Sequence, residues 1–286
     1  MEKKNIMKKI LIATGIVVII SVIATIGIGN YFVNYAILRT GNGGDREVKN
    51  KEVVEVASID NETERIIEEN REEEKQLANE WASTIKNEKV EITANDGITL
   101  KGTEYIKDEQ INDWVIVLHG YRSNPESVIS IGRHFSEKGY NVLIPYMRAT
   151  GESEGEYIGM GWLDKDDLKC WIDLIIKQNN NSNIILHGSS MGAATVLMAS
   201  GDELPTNVKA IIADSGYTSV WDIFASEAKA RFGYSCSCMI KSNSSLLFFK
   251  FFHHKIYKFL CWIVQIVLFQ ASKDIVPNKV IVHKGI

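Results

Sequence analysis

Asn183-Ile184-Ile185-Leu186-His187-Gly188-Ser189-Ser190-Met191-Gly192-Ala193-Ala194 passes from an apolar run, through a serine flanked by glycines, into a stretch of small residues. The opening residues read as a buried strand and the closing ones as the start of a helix, so Ser190 falls on the bend between them. A serine that is to act as a nucleophile must project from a sharp strand-to-helix turn. Glycines two positions before and two after it let neighbouring backbone pass where a Cβ would clash. The helix beginning at Met191 aims its unpaired N–H groups at that bend, where they stabilise developing negative charge. Ser190 is therefore the candidate nucleophile.

A second stretch, Val115-Ile116-Val117-Leu118-His119-Gly120-Tyr121, ends an earlier strand expected beside that of the nucleophile. Its His-Gly turn brings the backbone N–H of Tyr121 toward the oxygen that the N–H of Met191 would also bind. Two donors make an oxyanion hole. His119 lies within this turn and His187 within a strand, positions suited to a structural hydrogen-bonder rather than a general base.

Outward from these turns, short β-branched runs at 114–118, 141–145, 183–186 and 208–213 read as parallel strands covered on both faces. Helical patterns separate them at 125–138, 164–177 and 191–200. Val90-Glu91-Ile92-Thr93 and Ile98-Thr99-Leu100-Lys101 alternate apolar with polar around Asn95-Asp96-Gly97, a hairpin signal. The fold class is α/β: a mostly parallel sheet with flanking helices, opened by an antiparallel hairpin. Upstream, the acidic stretch 60–88 reads as one solvated helix capped by Asp60 or Asn61, with a packing stripe of Leu77, Trp81 and Ile85. A spacer role suits it better than a partner-binding tail.

Residues 10–38 contain no charged side chain and follow Lys3, Lys4, Lys8 and Lys9. About 20 apolar residues suffice to span a bilayer, so this stretch is expected to be a single uncleaved transmembrane helix. A signal peptide would have a shorter apolar region and a small-x-small cleavage site. The basic terminus favours a cytoplasmic N-terminus and an extracytoplasmic remainder, a bias that Arg39, Arg46, Lys49 and Lys51 weaken. Composition narrows the rest. With 36 acidic against 32 basic residues and a net charge of −4, the chain has no basic stripe for a phosphate backbone, which argues against nucleic acid as a partner. Its four cysteines are too sparse for a disulfide framework.

From about 90 to 229 the chain resembles the α/β-hydrolase superfamily, in particular its bacterial serine-aminopeptidase-like or acyl-esterase-like branch. The marks are His119-Gly120-Tyr121, Arg148-Ala149-Thr150-Gly151-Glu152-Ser153-Glu154-Gly155, Gly188-Ser189-Ser190-Met191-Gly192, and Ala213-Asp214-Ser215-Gly216-Tyr217-Thr218-Ser219. The resemblance implies hydrolysis of ester, amide or related acyl bonds, peptides included, through an acyl-enzyme with neither metal nor organic cofactor. Ser190 would be the nucleophile, and Tyr121 and Met191 the oxyanion-hole donors.

The family pattern continues with an acid in a His-Gly-x-x-Asp-x-x-Val-Pro-like turn and then a Gly-His turn. Here Lys273-Asp274-Ile275-Val276-Pro277 echoes the first without its His-Gly, and His283 follows closely. Asp274 and His283 are thus weak candidates for the remaining catalytic pair. From about Tyr234 the composition loses strand-helix alternation, as in a truncated, frame-shifted or divergent end whose last strands are missing or aberrant. Cys236, Cys238, His253 and His254 match no common zinc spacing, so no metal site is expected. The apolar run 259–269 is too short to span a bilayer. The expected layout is a basic N-terminus at 1–9, an anchor at 10–38, a linker and acidic helix at 39–88, a hydrolase domain at 89–233 and a divergent segment at 234–286. Its alternative function is that of a catalytically impaired, hydrolase-like membrane protein with a binding role or none.

Overall fold

The computed structural model describes residues 2–40, 61–232 and 280–283, which fall into two compact units, 2–40 in one and the rest in the other. The first holds helix α1, Glu2–Ile37. Ile12, Ile16, Ile20 and Ile23 along it are between 52% and 64% exposed. Among the described residues no helix is long and apolar enough to cross a membrane, so the expected span at 10–38 rests on the sequence.

The second unit is built on one seven-stranded sheet of order β1-β2-β4-β3-β5-β6-β7. β1 (Lys86–Thr93) and β2 (Thr99–Ile106) form the antiparallel hairpin, turning through Gly97 at φ +90. β2 runs antiparallel to β4 (Asn141–Pro145). From there β4, β3 (Asp113–Leu118), β5 (Asn183–Ser189), β6 (Val208–Asp214) and β7 (Val280–His283) are parallel. Val115, Val117, Val142 and Ile144 point to one face, where they are covered by α2 (Asn61–Thr84) and α3 (Ile129–Glu137). The alternate residues Ile116, Leu118 and Leu143 point to the other, against which α4 (Asp164–Gln178) and α5 (Met191–Ser200) pack. Both faces are covered, which is why these strands are apolar throughout rather than alternating. α6, Val220–Phe232, follows the last loop after β6.

Three expectations need correcting. The acidic helix stops at Thr84 and not near residue 88. Ser83 and Thr84 turn their hydroxyls back to the Glu80 carbonyl at 2.8 and 2.9 Å, and the Asn87 amide donates to the carbonyls of Ala82 and Ile85, satisfying the helix end. Residues 86–88 then join β1. The packing stripe keeps Trp81 and Ile85 against the core but not Leu77, which is 41% exposed; Ala78 is buried and Ala82 packs beside it, and the Trp81 ring lies tilted against Tyr105 at 4.9 Å. Finally, the sheet does have a strand in the tail. Val280–His283 pairs with β6, Asp214 lying opposite His283, although the sequence shows no alternation there. Asp60, Asp274, Cys236, Cys238, His253, His254 and the run 259–269 lie outside the described residues.

Candidate active site

Ser190 sits where β5 ends and α5 begins, at φ +53 and ψ −110, exposed to solvent. Side chains with a Cβ rarely adopt this left-handed backbone, which costs on the order of 1–3 kcal/mol. The surroundings hold it there. Its N–H donates to the Asp214 carbonyl at 2.8 Å, and its own carbonyl accepts the N–H of Ala194 at 3.0 Å, the first bond of α5. The flanking glycines are required sterically. A Cβ on Gly188 would lie 2.1 Å from the Gly192 carbonyl oxygen, and one on Gly192 would lie 2.4 Å from that of Leu118.

β3 neighbours β5 in the sheet, with Leu118 opposite Gly188, so the turn after β3 arrives beside the elbow. An ideal Cβ on Gly120 would be 3.4 Å from the Ser190 Cβ and 3.8 Å from its Oγ. That contact places Gly120 directly beside the serine side chain. Met191 is the first residue of α5, and its N–H is one of those a helix leaves without an internal partner. Tyr121 is braced by its neighbour, the Arg122 guanidinium donating to the Tyr121 hydroxyl at 2.9 Å.

His119 is wholly buried, and both its ring nitrogens are engaged. Nδ1 lies 2.9 Å from the Gly120 carbonyl, and Nε2 accepts the Met147 N–H at 3.2 Å. It thereby ties the turn after β3 to the turn after β4, and burial holds its pKa below the ordinary histidine value, partly offset by the Gly120 carbonyl. Among the described residues His187, also buried, is seen packing edge-on against Phe135, with no hydrogen bond at Nδ1. His134 of α3 faces Glu74 of α2 and Glu137 of its own helix.

Strand register brings further residues to the same edge: Ser189 lies opposite Asp214, and Asp214 opposite His283. Ser215, the next residue of the β6 loop, also takes a left-handed backbone at φ +58 and donates its hydroxyl to the Asp214 carboxylate at 2.9 Å. Sequence reading had treated Asp214 and Ser215 only as part of a motif. The strained backbone of Ser215 gives no signal in residue types. Beneath the site, Arg148 forms a bidentate pair with Asp167 at 2.6 and 2.7 Å and reaches Asp96 at 2.8 Å. Burial opposes the guanidinium's charge, but these carboxylates outweigh it and raise its pKa.

Comparison with known proteins falls on the same stretch. A family model for the alpha/beta hydrolase fold matches residues 113–235. The uncharacterised protein YqkD of Bacillus subtilis is 29% identical over 137 residues, 48% of this chain and 45% of that one. The uncharacterised protein YfhR of Escherichia coli O157:H7 is 28% identical over 138 residues, 46% of this chain and 48% of that one. The chain thus spans about half the length of the curated relatives it matches. Among solved structures, the Pyrococcus furiosus esterase Pf2001 superposes with a TM-score of 0.46 at 25% identity, covering 62% of this chain and 64% of that one. Strand order, elbow and family match coincide on this stretch, which has the alpha/beta hydrolase fold.

Proposed function

We propose that this protein is a serine hydrolase of the serine-aminopeptidase-like or acyl-esterase-like branch, cleaving ester, amide or related acyl bonds through an acyl-enzyme at Ser190. The observation that carries this reading is the exposed Ser190 side chain on a left-handed elbow, beside Gly120 and at the start of α5. In this mechanism Oγ forms a bond to the substrate carbonyl carbon, and the carbonyl electron pair moves onto oxygen. The N–H groups of Tyr121 and Met191 hold that oxyanion, each such donor contributing roughly 10²–10³ in turnover. The serine proton passes to a histidine and then to the leaving alcohol or amine, and water repeats the sequence to free the acid. Backbone register supports His283 as that histidine, since it ends β7 level with Asp214 and Ser189.

A second reading, a hydrolase-like protein that binds without turning over, is favoured by one observation. No histidine whose side chain is described hydrogen-bonds Ser190; His119, His134 and His187 are engaged elsewhere. Treating the full chain with a fluorophosphonate and mapping the adduct by mass spectrometry separates the two. An adduct on Ser190 is expected; a folded chain that stays unlabelled favours the second reading. Gly120→Ala refines the test. Its new methyl meets only ordinary contacts, so folding is retained, while crowding beside Oγ is expected to slow labelling roughly ten- to a hundred-fold.

We also propose that 10–38 anchors the protein in the cell membrane as a single pass, with the hydrolase domain outside the cytoplasm. The charge-free sequence and the exposed isoleucines of α1 support this. Retention in the membrane pellet after alkaline carbonate extraction is expected, and release into the supernatant would overturn it.

A further inference from the structure

We propose that Asp164 is a positioning residue that works as a neutral carboxyl, clamping the 159–163 turn onto the helix that carries the nucleophile, and that its ionisation releases the clamp. The proposal rests on the reading of Ser190 only where activity is concerned.

The turn is held tightly. Gly161 adopts φ +85, and its backbone lies so close to α5 that an added Cβ would be 3.3 Å from the Thr195 nitrogen and 3.1 Å from Met198 Sδ. Thr195 stands little more than one helical turn from Ser190. Asp164, only 2% exposed at the start of α4, accepts the Gly161 N–H on Oδ2 at 2.7 Å. The same oxygen fills the space where a Cβ on Gly159 would sit, 2.4 Å from that position. Tyr217, from the loop after β6, closes the turn from the other side, its hydroxyl donating to the Met160 carbonyl at 2.8 Å. Met160 itself is held at φ +51. One carboxyl thus seats a strained turn against the nucleophile helix.

Its surroundings are hostile to a negative charge. Oδ1 has no hydrogen-bond partner among the described residues. Asp167, one turn along α4, already holds the Arg148 guanidinium in both its oxygens, and Arg148 is shared further with Asp96 of the β1–β2 turn. The neighbouring positive charge is therefore committed elsewhere. The Lys165 ammonium, over the Trp162 ring at 4.3 Å, is paired with Asp202 at 2.7 Å, and the Tyr217 phenol, which packs on the turn, is pushed well above its ordinary value by burial and by Asp164. Burial and then the like charge of Asp167 raise the Asp164 carboxyl to about 7, against the partial relief of the Gly161 N–H and Arg148.

The sign follows from linkage. The raised carboxyl keeps its proton in the folded chain after the unfolded chain has lost it, so stability falls as pH rises from about 4 toward 7 and levels off above. Asp164→Asn keeps the acceptor for Gly161 and cannot ionise. The variant is expected to match wild type in Tm near pH 4 and to exceed it by at least about 4 °C at pH 8. Its fluorophosphonate labelling rate relative to wild type should rise several-fold between pH 6 and pH 8. Parallel Tm profiles for the two proteins would overturn the proposal. Absent labelling in both, with the Tm profiles still diverging, would sink the reading of Ser190 and leave the clamp standing. Should Asp164→Asn not fold, hydrogen exchange of the 159–163 peptide in wild type decides: intrinsic-rate-corrected protection that falls through pH 7 supports the clamp, and constant protection refutes it.

Discussion

Ser190→Ala is expected to lower kcat toward an activated ester by a factor on the order of 10⁶, leaving the fold unchanged. The size of the loss follows from what the hydroxyl does in the proposed mechanism. Without it no acyl-enzyme forms, and the N–H groups of Tyr121 and Met191 have no tetrahedral intermediate to hold. The fold should not notice, because the side chain is exposed and caps no helix bond, and alanine accepts the left-handed backbone no worse than serine. The measurement is kcat with the ester alongside thermal unfolding. A drop below tenfold with an unshifted Tm would remove Ser190 from the chemistry, and a large Tm loss would mean that the serine is structural.

The second large effect concerns stability. Gly188→Ala is expected to unfold the domain or to lower its Tm by more than about 10 °C, a loss of roughly 4–5 kcal/mol. The new Cβ would meet the carbonyl oxygen and carbon of Gly192 and the nitrogen of Ala193 at 2.1, 2.2 and 2.5 Å. All three are backbone atoms of the first turn of α5, so no side chain can swing aside. Either β5 or α5 must move, and the elbow goes with it. Gly139→Ala is the control. That glycine lies at φ +95 with open space around it, so the change costs on the order of 1–3 kcal/mol of backbone strain and no clash. Similar Tm losses for both would show that steric closeness at the elbow is not what the glycine serves.

Much of this was legible in the sequence because the elbow writes its geometry into residue types. Gly188 and Gly192 are there because backbone passes within van der Waals contact, and the apolar runs of β3 to β6 exist because both faces of the sheet are covered. What escaped reading is non-local. The four residues of β7 are too few to show a period, and they are a strand only because β6, far back in the chain, offers an edge. Asp164 lies in Asp164-Lys165-Asp166-Asp167, which reads as an acidic first turn of a helix. Its burial comes from the 159–163 turn and Arg148 folding over it, contacts that no spacing announces. The end of α2 was missed for a local reason: the hydroxyls of Ser83 and Thr84 compete for Glu80, a signal that propensity undervalues.

The two rims of the sheet are unequally defended. β1 carries Lys86, Glu88, Lys89 and Glu91 along its outer border, charges that discourage a foreign strand from adding on. β7 reads Val280-Ile281-Val282-His283, short and without a formal charge. It docks through a long closure, so its pairing is expected late in folding. Among the described residues β7 alone pairs with the side of β6 away from β5, so until it docks a chain newly made is exposed to self-association there.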